Sequence, residues 1–325
     1  MSASSTDTRS STANGPTLTW LQAEALLEVT GRDAVTFLHN QASCDLKHLE
    51  PGRASYGTFC NPQGRVLADF IALALGPERM LLRLRRDILD GTLAALGRFA
   101  LFSKVTLSAA SDEWRLLGCQ GPGVAASLRQ LFADVPAADL AWSGGTGAIL
   151  LQLDGSGESF EVWINRAEQP DLLQQLEAAL PANASEVGWE VATLRRGIAR
   201  ITAATTGELL PQQLNYDLSG HINFRKGCYP GQEVIARMHY KGKAKRRLVL
   251  VQLPAGAAAS AGEPLYLQGK EQPAAQVVNA AATGDGITLA LVTTTLTAAE
   301  EGLYLAPDST EPVHTQQLPY PVPFG

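Results

Sequence analysis

The chain has 325 residues, of which 45% are hydrophobic and 18% are charged, and its formal net charge is −6. This composition is typical of a folded globular protein, and the length exceeds that of a usual single core, so we expect two or three domains. The negative charge argues against a protein that coats nucleic acid through charge alone.

The first predicted segment is a tail. Residues 1–16 are rich in Ser and Thr and contain no apolar run, which predicts disorder rather than a secretory signal. No stretch approaches the roughly 20 apolar residues of a membrane span. The cysteines show no CxxC spacing and no His pair is spaced as in HExxH, so we expect no sequence-local metal site. Together these features predict a cytoplasmic protein with reduced thiols.

Strands and helices alternate along the next two thirds of the chain. A strand over 26–29 precedes Asp33, which suits the N-cap of a helix. Two apolar runs flank an Asn-Pro-Gln-Gly turn at 61–64, which indicates a hairpin. Apolar spacing predicts further strands over 80–84 and 159–164 and helices over 87–102 and 170–180. From Arg247 onward, short strands between Gly- and Pro-rich turns favour a β-barrel or sandwich. The fold class is therefore α+β with a β-rich C-terminal part.

A thiol lies in a turn rich in Gly and Pro, within the segment Lys226-Gly227-Cys228-Tyr229-Pro230-Gly231-Gln232-Glu233. A cysteine used for packing usually lies among aliphatic residues. Here Arg225 and Lys226 precede Cys228, and cationic neighbours favour the thiolate. Glycine and proline form tight turns that present the side chains between them. The local chemistry leaves a reactive role and a packing role open.

This octapeptide resembles the signature of the YgfZ family of folate-binding proteins, relatives of the glycine-cleavage T-protein. The resemblance extends from about Leu18 onward through the segments 102–106, 194–198, 208–212, 214–215, 246–247 and 318–320. It implies three domains around a central folate-sized channel. These are a discontinuous folate-binding domain (17–42 and 108–243) that carries the turn, an inserted α/β domain (43–107) and a C-terminal β-barrel (244–325).

The resemblance also implies a function. The chain is expected to bind tetrahydrofolate or a derivative and to support iron–sulfur cluster assembly or repair, with an indirect effect on tRNA modification. The expected partners are iron–sulfur enzymes or cluster-assembly proteins, and Cys228 would meet a cluster, a persulfide or an oxidised partner. A cluster needs about four ligands, so one cysteine would share it with a partner. Whether the protein also turns over a substrate as an enzyme is left open.

Two acids resemble folate-site residues of the T-protein. Glu161 corresponds to the acid that grips the pterin ring, and a carboxylate suits this task because it accepts two parallel hydrogen bonds. From its strand pattern alone, Glu161 is an exposed acid on the face opposite Phe160. Asp69 lies in a hairpin that resembles the one carrying the catalytic acid, but Ala68 replaces one acid of the pair. Asp69 is either the catalytic acid or its neighbour.

Cations complete the set of candidate residues. Arg195 and Arg196 are either ordinary surface charges or a pair of which one faces the folate pocket and the other faces solvent. A basic segment follows the turn, and it is either a solvated loop or a docking site for an anion, such as a polyglutamate tail, a phosphate or an acidic partner. Its candidate contacts are Arg237, Lys241, Lys243, Lys245 and Arg246.

Two alternatives to the accessory function remain. One is a folate-dependent aminomethyltransferase like the T-protein, against which stand Ala68 and the octapeptide that T-proteins lack. The other is a scaffold that holds RNA or protein through the basic segment and ignores folate. Transfer of a methylene group to tetrahydrofolate would identify the first, and saturable folate binding would exclude the second.

Overall fold

The computed structural model describes residues 15–183, 185–242 and 244–323. Residues 1–14 of the predicted tail and Lys243 of the basic segment lie outside this part. The described residues form sixteen strands: β1 (Thr17–Trp20), β2 (Glu24–Thr30), β3 (Ser55–Cys60), β4 (Val66–Gly76), β5 (Arg79–Arg85), β6 (Thr106–Ala109), β7 (Trp114–Gln120), β8 (Trp142–Gly144), β9 (Ala148–Gln152), β10 (Ser159–Asn165), β11 (Ala182–Asn183), β12 (Arg246–Gln252), β13 (Pro264–Tyr266), β14 (Pro273–Ala282), β15 (Thr288–Thr295) and β16 (His314–Gln316).

Seven α-helices connect these strands in the described part of the chain: α1 (Ala34–Gln41), α2 (Leu89–Ala100), α3 (Val124–Leu128), α4 (Leu172–Ala179), α5 (Val187–Arg195), α6 (Gln232–Lys241) and α7 (Leu296–Glu301). Two single 3₁₀ turns lie at Arg86–Ile88 and Pro211–Leu214. None of the helices described is long and apolar enough to cross a bilayer.

The strands assemble into three sheets. Sheet one has the order β11-β1-β7-β10-β9-β8, sheet two the order β3-β4-β5-β2-β6, and sheet three the order β13-β14-β15-β12-β16. After β1 the chain leaves sheet one, builds sheet two with β2 to β6, and returns to sheet one at β7. The predicted domain boundaries remain a prediction, but β2 pairs with β5 and β6 and thus shares a sheet with the predicted insertion.

Several local predictions are confirmed. The hairpin about residues 61–64 is formed by β3 and β4, which pair antiparallel from Ser55 and Ala72 to Cys60 and Val66. Asp33 precedes α1 as predicted, but its side chain makes no capping bond to that helix. It accepts a hydrogen bond from the backbone of Lys104 at 2.8 Å instead, because the loop before β6 passes this helix end.

The prediction of a C-terminal β-barrel is wrong, because the described residues form an open sheet there. Sheet three ends at β13 on one side and β16 on the other, and these two strands do not pair among the residues described. Closure of a barrel requires hydrogen bonds between the two end strands. Here each end strand has only three residues, which is too short to form the staggered pairing that closure needs.

Strand β10 lies inside sheet one, and all seven of its residues are buried. Phe160, Val162 and Ile164 pack in one apolar cluster. Trp163 packs in a second apolar cluster on the opposite face of the strand. The predicted division into two faces is therefore confirmed, but both faces are covered. This burial decides the environment of Glu161.

Candidate functional site

The octapeptide of residues 226–233 forms a turn, which we call the signature turn. Lys226 anchors its first end. Its Nζ donates hydrogen bonds to the backbone carbonyls of His39 and Ala42, the second at 2.5 Å, where α1 ends. These carbonyls have no partner within the helix, so a lysine satisfies them well. Nζ also lies 4.8 Å from the ring centre of Tyr229, which is 7% exposed. Burial lowers the pKa of Lys226 to about 8. Sequence analysis did not assign this inward role.

Gly231 anchors the other end of the turn. It precedes α6 with φ of 80°, in the left-handed region that favours glycine. A Cβ at this position would lie 2.5 Å from the carbonyl oxygen of Asn61 and 2.7 Å from Cα of Gly64. The turn therefore packs backbone against backbone on the β3–β4 hairpin. Beyond it, Gln232 and Glu233 form the first turn of α6.

Cys228 lies between these two anchors and is exposed. The other three thiols are buried, and burial raises their pKa values, to about 12 for Cys44 and Cys60 and further for Cys119. Cys44 and Cys60 pack within the apolar core. Cys228 is thus the one thiol of the four that a molecule in solution can reach.

A cleft of about 570 Å³ opens beside the segment that leads into the turn. The ring of Phe224 stacks on that of His239 at 3.7 Å, and Tyr240 meets Phe224 edge-on. Pockets for small molecules usually measure roughly 300–1,000 Å³ and are lined by aromatic side chains. The other lining side chains include Cys44, Asp45, Ser55, Ile222 and Arg225. The cleft therefore has the size and the aromatic lining of a small-molecule pocket.

Asp69 belongs to a buried group of paired charges, which we call the ion cluster. Its members are Glu24, Asp69, Arg83, Glu161 and Arg200. The carboxylate of Asp69 accepts hydrogen bonds from Nε of Arg200 and from the backbone of Ile201, both at 2.6 Å. Arg200 also binds both carboxylate oxygens of Glu24, at 2.8 and 3.0 Å. Asp69 is 2% exposed. A general acid or base must reach the proton that it moves, and the partners of Asp69 occupy both oxygens.

Glu161 belongs to the same ion cluster and is completely buried. It accepts hydrogen bonds from Arg83 at 2.6 and 3.2 Å and from the indole of Trp163 at 2.8 Å. Arg83 in turn contacts Glu24 at 3.3 Å. The interpretation of Glu161 as an exposed strand acid is wrong, because β10 is covered on both faces. With three donors on its two oxygens, Glu161 has no free edge for a pterin in this arrangement.

A cavity of about 210 Å³ adjoins the ion cluster, and we call it the charged cavity. It is bounded by side chains of β2, β5, α5 and β14 and of the segments on either side of α5. Among the lining residues are Glu24, Arg85, Glu186, Trp189, Glu190, Thr193, Arg200 and Asn279. Nη1 of Arg85 lies 3.2 Å from Glu190, but its buried Nε has no partner among the residues described. An unsatisfied buried donor is costly and indicates a missing acceptor.

Arg195 and Arg196 lie at the C-terminal end of α5, the helix that borders the charged cavity. Arg195 is the last residue of α5 and is exposed, whereas Arg196 is half-buried. Arg196 donates to Ser159 at 2.7 Å, and its guanidinium lies 5.8 Å from the ring centre of Trp189. The two arginines thus differ in exposure, but neither is among the residues that line the charged cavity, and the contact of one of them with folate stays a prediction.

The basic segment divides into exposed and buried cations. Arg237 and Lys241 are exposed on α6, Lys245 is exposed after it, and Arg246 is half-buried at the start of β12. The next residue, Arg247, is buried and pairs with Asp217 at 2.6 Å. The cations that an anion can reach are therefore those of α6 and its C-terminal loop.

The sequence analysis missed Glu24, Arg83 and Arg200, which hold the ion cluster together. It also missed His221, which is fully buried and stacks between Tyr56 and Tyr216 at 4.6 and 4.0 Å. The only sequence signal for the arginines is their position within apolar runs, Leu81-Leu82-Arg83-Leu84 and Ile198-Ala199-Arg200-Ile201. A charge in such a run indicates a buried partner.

Comparison with known proteins places this geometry in context. Residues 14–197 match the sequence model of the GCVT N-terminal domain family. The chain is 31% identical to the tRNA-modifying protein YgfZ of Pectobacterium carotovorum over 94% of its own length and 92% of that protein. It is 29% identical to the tRNA-modifying protein YgfZ of Shigella boydii, over 94% and 93% of the two chains.

A solved structure shares the fold. The glycine cleavage system aminomethyltransferase T from Bartonella henselae superposes with a TM-score of 0.71 and 18% identity, covering 87% of this chain and 79% of that one. The superposition shows a common fold despite the low sequence identity, and function has to be argued from the site.

Proposed function

The chain belongs to the GCVT N-terminal domain family and, within it, to the YgfZ proteins, and from this premise we propose that it is a folate-binding accessory protein for iron–sulfur enzymes. Its effect on tRNA modification is indirect, through the cluster-bearing enzymes that modify tRNA. The observation that carries the proposal is the exposed thiol of Cys228 on a turn anchored at both ends. Such a thiol reaches a partner without loss of the fold.

The residues of the charged cavity fit the head of a reduced folate. A pterin presents an acceptor oxygen beside an N–H and an amino group. The guanidinium of Arg85, which lines the cavity, supplies a donor for the oxygen, and the neighbouring carboxylate of Glu190 accepts from the two N–H groups. Trp189 supplies an aromatic face. Glu161 keeps Arg83 in place rather than gripping the ring itself.

The cavity of about 210 Å³ accommodates the pterin head, and the rest of the folate extends from it through the central channel implied by the family. A bound reduced folate supplies a one-carbon carrier. The chain's own residues bind its head, exclude water around the ion cluster and keep Asp69 paired with Arg200. The pairing of Asp69 opposes the aminomethyltransferase alternative, because that chemistry needs an accessible acid.

Folate binding is tested by titrating the protein with tetrahydrofolate while tryptophan fluorescence is recorded. We expect saturable quenching, and Glu190→Gln should raise the Kd by about tenfold or more because a charge-assisted pair is lost, worth about 1.5–3 kcal/mol. Glu177→Gln removes the same charge at an exposed site of α4 and serves as the control. Wild-type affinity in Glu190→Gln would contradict this placement, and no saturable signal at all would contradict folate binding.

The role of the thiol is tested in cells that lack the chromosomal protein. Cys228→Ala should fold with unchanged Tm and unchanged folate affinity but fail to restore the fraction of thiolated nucleoside in tRNA. Cys119→Ala removes a buried thiol and should restore it. Full restoration by Cys228→Ala would refute the proposed function, and a collapse of stability in this variant would show that Cys228 is a packing residue.

A further inference from the structure

The C-terminal end of α2 exposes large apolar side chains that the proposed function does not use. Leu101 and Phe102 are 81% and 94% exposed, more than any other large apolar side chain in the described part of the chain, and Phe99 is 50% exposed. The helix itself is fixed, since Leu89 and Leu96 pack in the apolar core. We call Phe99, Leu101 and Phe102 the apolar patch. Clustered exposed apolar side chains, unlike single ones, mark a surface that contacts a partner.

The apolar patch continues towards the signature turn through a small dimple of about 30 Å³. Phe99 and Pro230 both line this dimple, together with Leu67 of β4 and Leu96 of α2. The side chains that dominate the energy of an interface usually fill apolar pockets of the partner surface. The dimple therefore fits an apolar group of a partner. Cys228 lies two residues from Pro230, so at most about 7 Å of chain separates them.

The footprint of a protein partner is large enough to include both the apolar patch and the exposed thiol. Specific protein interfaces bury about 800 Å² on each partner, which corresponds to a surface roughly 30 Å across. Since Phe99 and Pro230 line one dimple, a footprint of this size on the apolar patch extends over the signature turn. Cys228 would then lie within the interface.

The charges around the apolar patch indicate the chemistry of the partner. Arg98 precedes the patch and Lys104 follows it, and both are exposed. Arg32 is exposed nearby, because the backbone of Gly31 packs on that of Lys104. None of these three cations pairs with a carboxylate among the residues described, and Asp33 binds the backbone N–H of Lys104 instead. In a chain of net charge −6 this rim is locally positive, and it complements acidic residues of a partner.

These features favour an acidic protein over a second copy of this chain or RNA. In a twofold dimer built on this surface, the same cations would face one another, and like charges oppose association. Nucleic-acid interfaces are mainly polar and cationic, and Leu101 offers RNA neither a charge nor a stacking face. A protein with an apolar group surrounded by acids complements both the apolar patch and its rim.

We propose that the apolar patch is the docking site for the iron–sulfur enzyme that Cys228 serves. This enzyme presents an apolar side chain to the dimple and acidic residues to Arg98 and Lys104. The inference rests on the proposed function, because the partner that it places here is the one which that function requires. Docking brings the enzyme to the exposed thiol, while the apolar patch takes no part in the chemistry of the sulfur.

The first test replaces the two most exposed residues in cells that lack the chromosomal protein. Leu101→Ser combined with Phe102→Ser should keep the wild-type Tm and folate affinity, because both side chains are exposed in the free protein. The fraction of thiolated nucleoside in tRNA should fall to the level of cells that carry Cys228→Ala. Leu296→Ser is the matched control, since this leucine of α7 is 42% exposed. Wild-type thiolation in the double variant would overturn the proposal.

Charge reversal gives a second variant that leaves the apolar residues in place. Arg98→Glu sets an acid against an acidic partner and should also lower the thiolated fraction. Arg129→Glu makes the same change of charge at an exposed position after α3 and should leave the fraction unchanged. Equal thiolation in these two variants would overturn an acidic partner at this surface.

Direct contact is tested with a photoreactive benzophenone amino acid in place of Phe102, irradiated in the same cells. We expect cross-links to an iron–sulfur protein, identified by mass spectrometry, that decrease by about tenfold or more when Arg98→Glu is added. The same amino acid in place of Leu296 should give none of them. Cross-links only to RNA or to a second copy of this chain would overturn the proposal, and so would the absence of any cross-link.

Failure of this inference can be told apart from failure of the proposed function. Normal thiolation in the variant with Leu101→Ser and Phe102→Ser, together with lost thiolation in Cys228→Ala, would overturn the docking site alone. Full thiolation in Cys228→Ala, together with cross-links from position 102 to an iron–sulfur protein, would leave the docking site in place and overturn the role of the thiol.

Discussion

Two glycines with nearly the same backbone conformation allow the effect of left-handed backbone strain to be distinguished from that of steric contact. Gly231 has φ of 80° and Gly220 has φ of 81°. A Cβ at Gly231 would lie 2.5 Å from the carbonyl oxygen of Asn61, whereas a Cβ at Gly220 would have nothing within 4 Å. Both positions favour glycine for its conformational freedom. Only at Gly231 does the absence of a side chain also allow the turn to approach the β3–β4 hairpin.

Gly231→Ala should therefore be more destabilising than Gly220→Ala. Both substitutions incur the left-handed strain of about 1–2 kcal/mol, and Gly231→Ala adds about 1–3 kcal/mol of overpacking against backbone. Urea denaturation measures both free energies of unfolding. Equal losses in the two variants would show that the hairpin does not hold the turn in place.

Residue-scale prediction from the sequence succeeded where the cause is local. The Gly- and Pro-rich turn predicted that the side chains within it are presented, which is right for Cys228 and wrong for Tyr229, whose ring is 7% exposed. The direction of the Lys226 side chain was not predictable, because its acceptors at the C-terminal end of α1 lie 184 and 187 residues earlier in the chain. A long side chain beside a turn is usually solvated, and only the fold places a helix end beneath this one.

In strand β10, too, features with a local cause were predictable from the sequence and those that depend on distant residues were not. Its alternation predicted two faces correctly, because the period of a strand is local. The pattern did not predict that sheet two supplies a guanidinium to the second face, where Arg83 of β5 meets Glu161. Buried charges of this kind are retained only with a partner.

Removal of that partner should be costly. Arg83→Met leaves the carboxylate of Glu161 buried with only the indole of Trp163 as donor, and we expect a loss of about 3–5 kcal/mol in the free energy of unfolding. The double variant Arg83→Met with Glu161→Gln removes the uncompensated charge and should recover part of the loss. Urea denaturation of the two variants checks this, and no recovery would show that Arg83 acts through Glu24 instead.

The ion cluster joins parts of the whole molecule. Arg200 binds Glu24 of β2 and Asp69 of β4, its backbone binds Asn279 of β14, and Glu24 reaches β10 through Arg83. Sheets one, two and three thus meet at one group of charges. The resemblance implied three domains but not this ion cluster, since the members of the cluster are far apart in the chain.

The ion cluster should make the stability of the protein sensitive to acid. Burial alone would raise the pKa of Glu24, but the guanidinium groups of Arg200, Arg83 and Arg85 lower it from 4.5 to about 2. A depressed pKa contributes stability that is present above about pH 4.5 and is lost as pH falls towards 2, because the unfolded chain binds the proton first. The difference corresponds to about 3 kcal/mol.

Glu24→Gln should flatten the dependence of stability on pH in this window, while Glu177→Gln at an exposed site should leave it unchanged. The free energy of unfolding at pH values from 6 to 2.5 measures the slope. An identical slope in Glu24→Gln and the parent protein would show that Glu24 does not couple folding to protons.

Shared charges at the meeting point of three sheets have a consequence for fragments of the chain. If sheet one separates from sheet two, Glu161 and Arg83 each lose their counter-ion, whereas sheet three contributes the neutral side chain of Asn279. A nick in the surface loop at 255–262 leaves β12 paired with β15 and β16 of the other piece, and Arg200 still bound to Asn279. The two pieces should therefore stay bound to each other until the entire assembly melts in a single calorimetric transition.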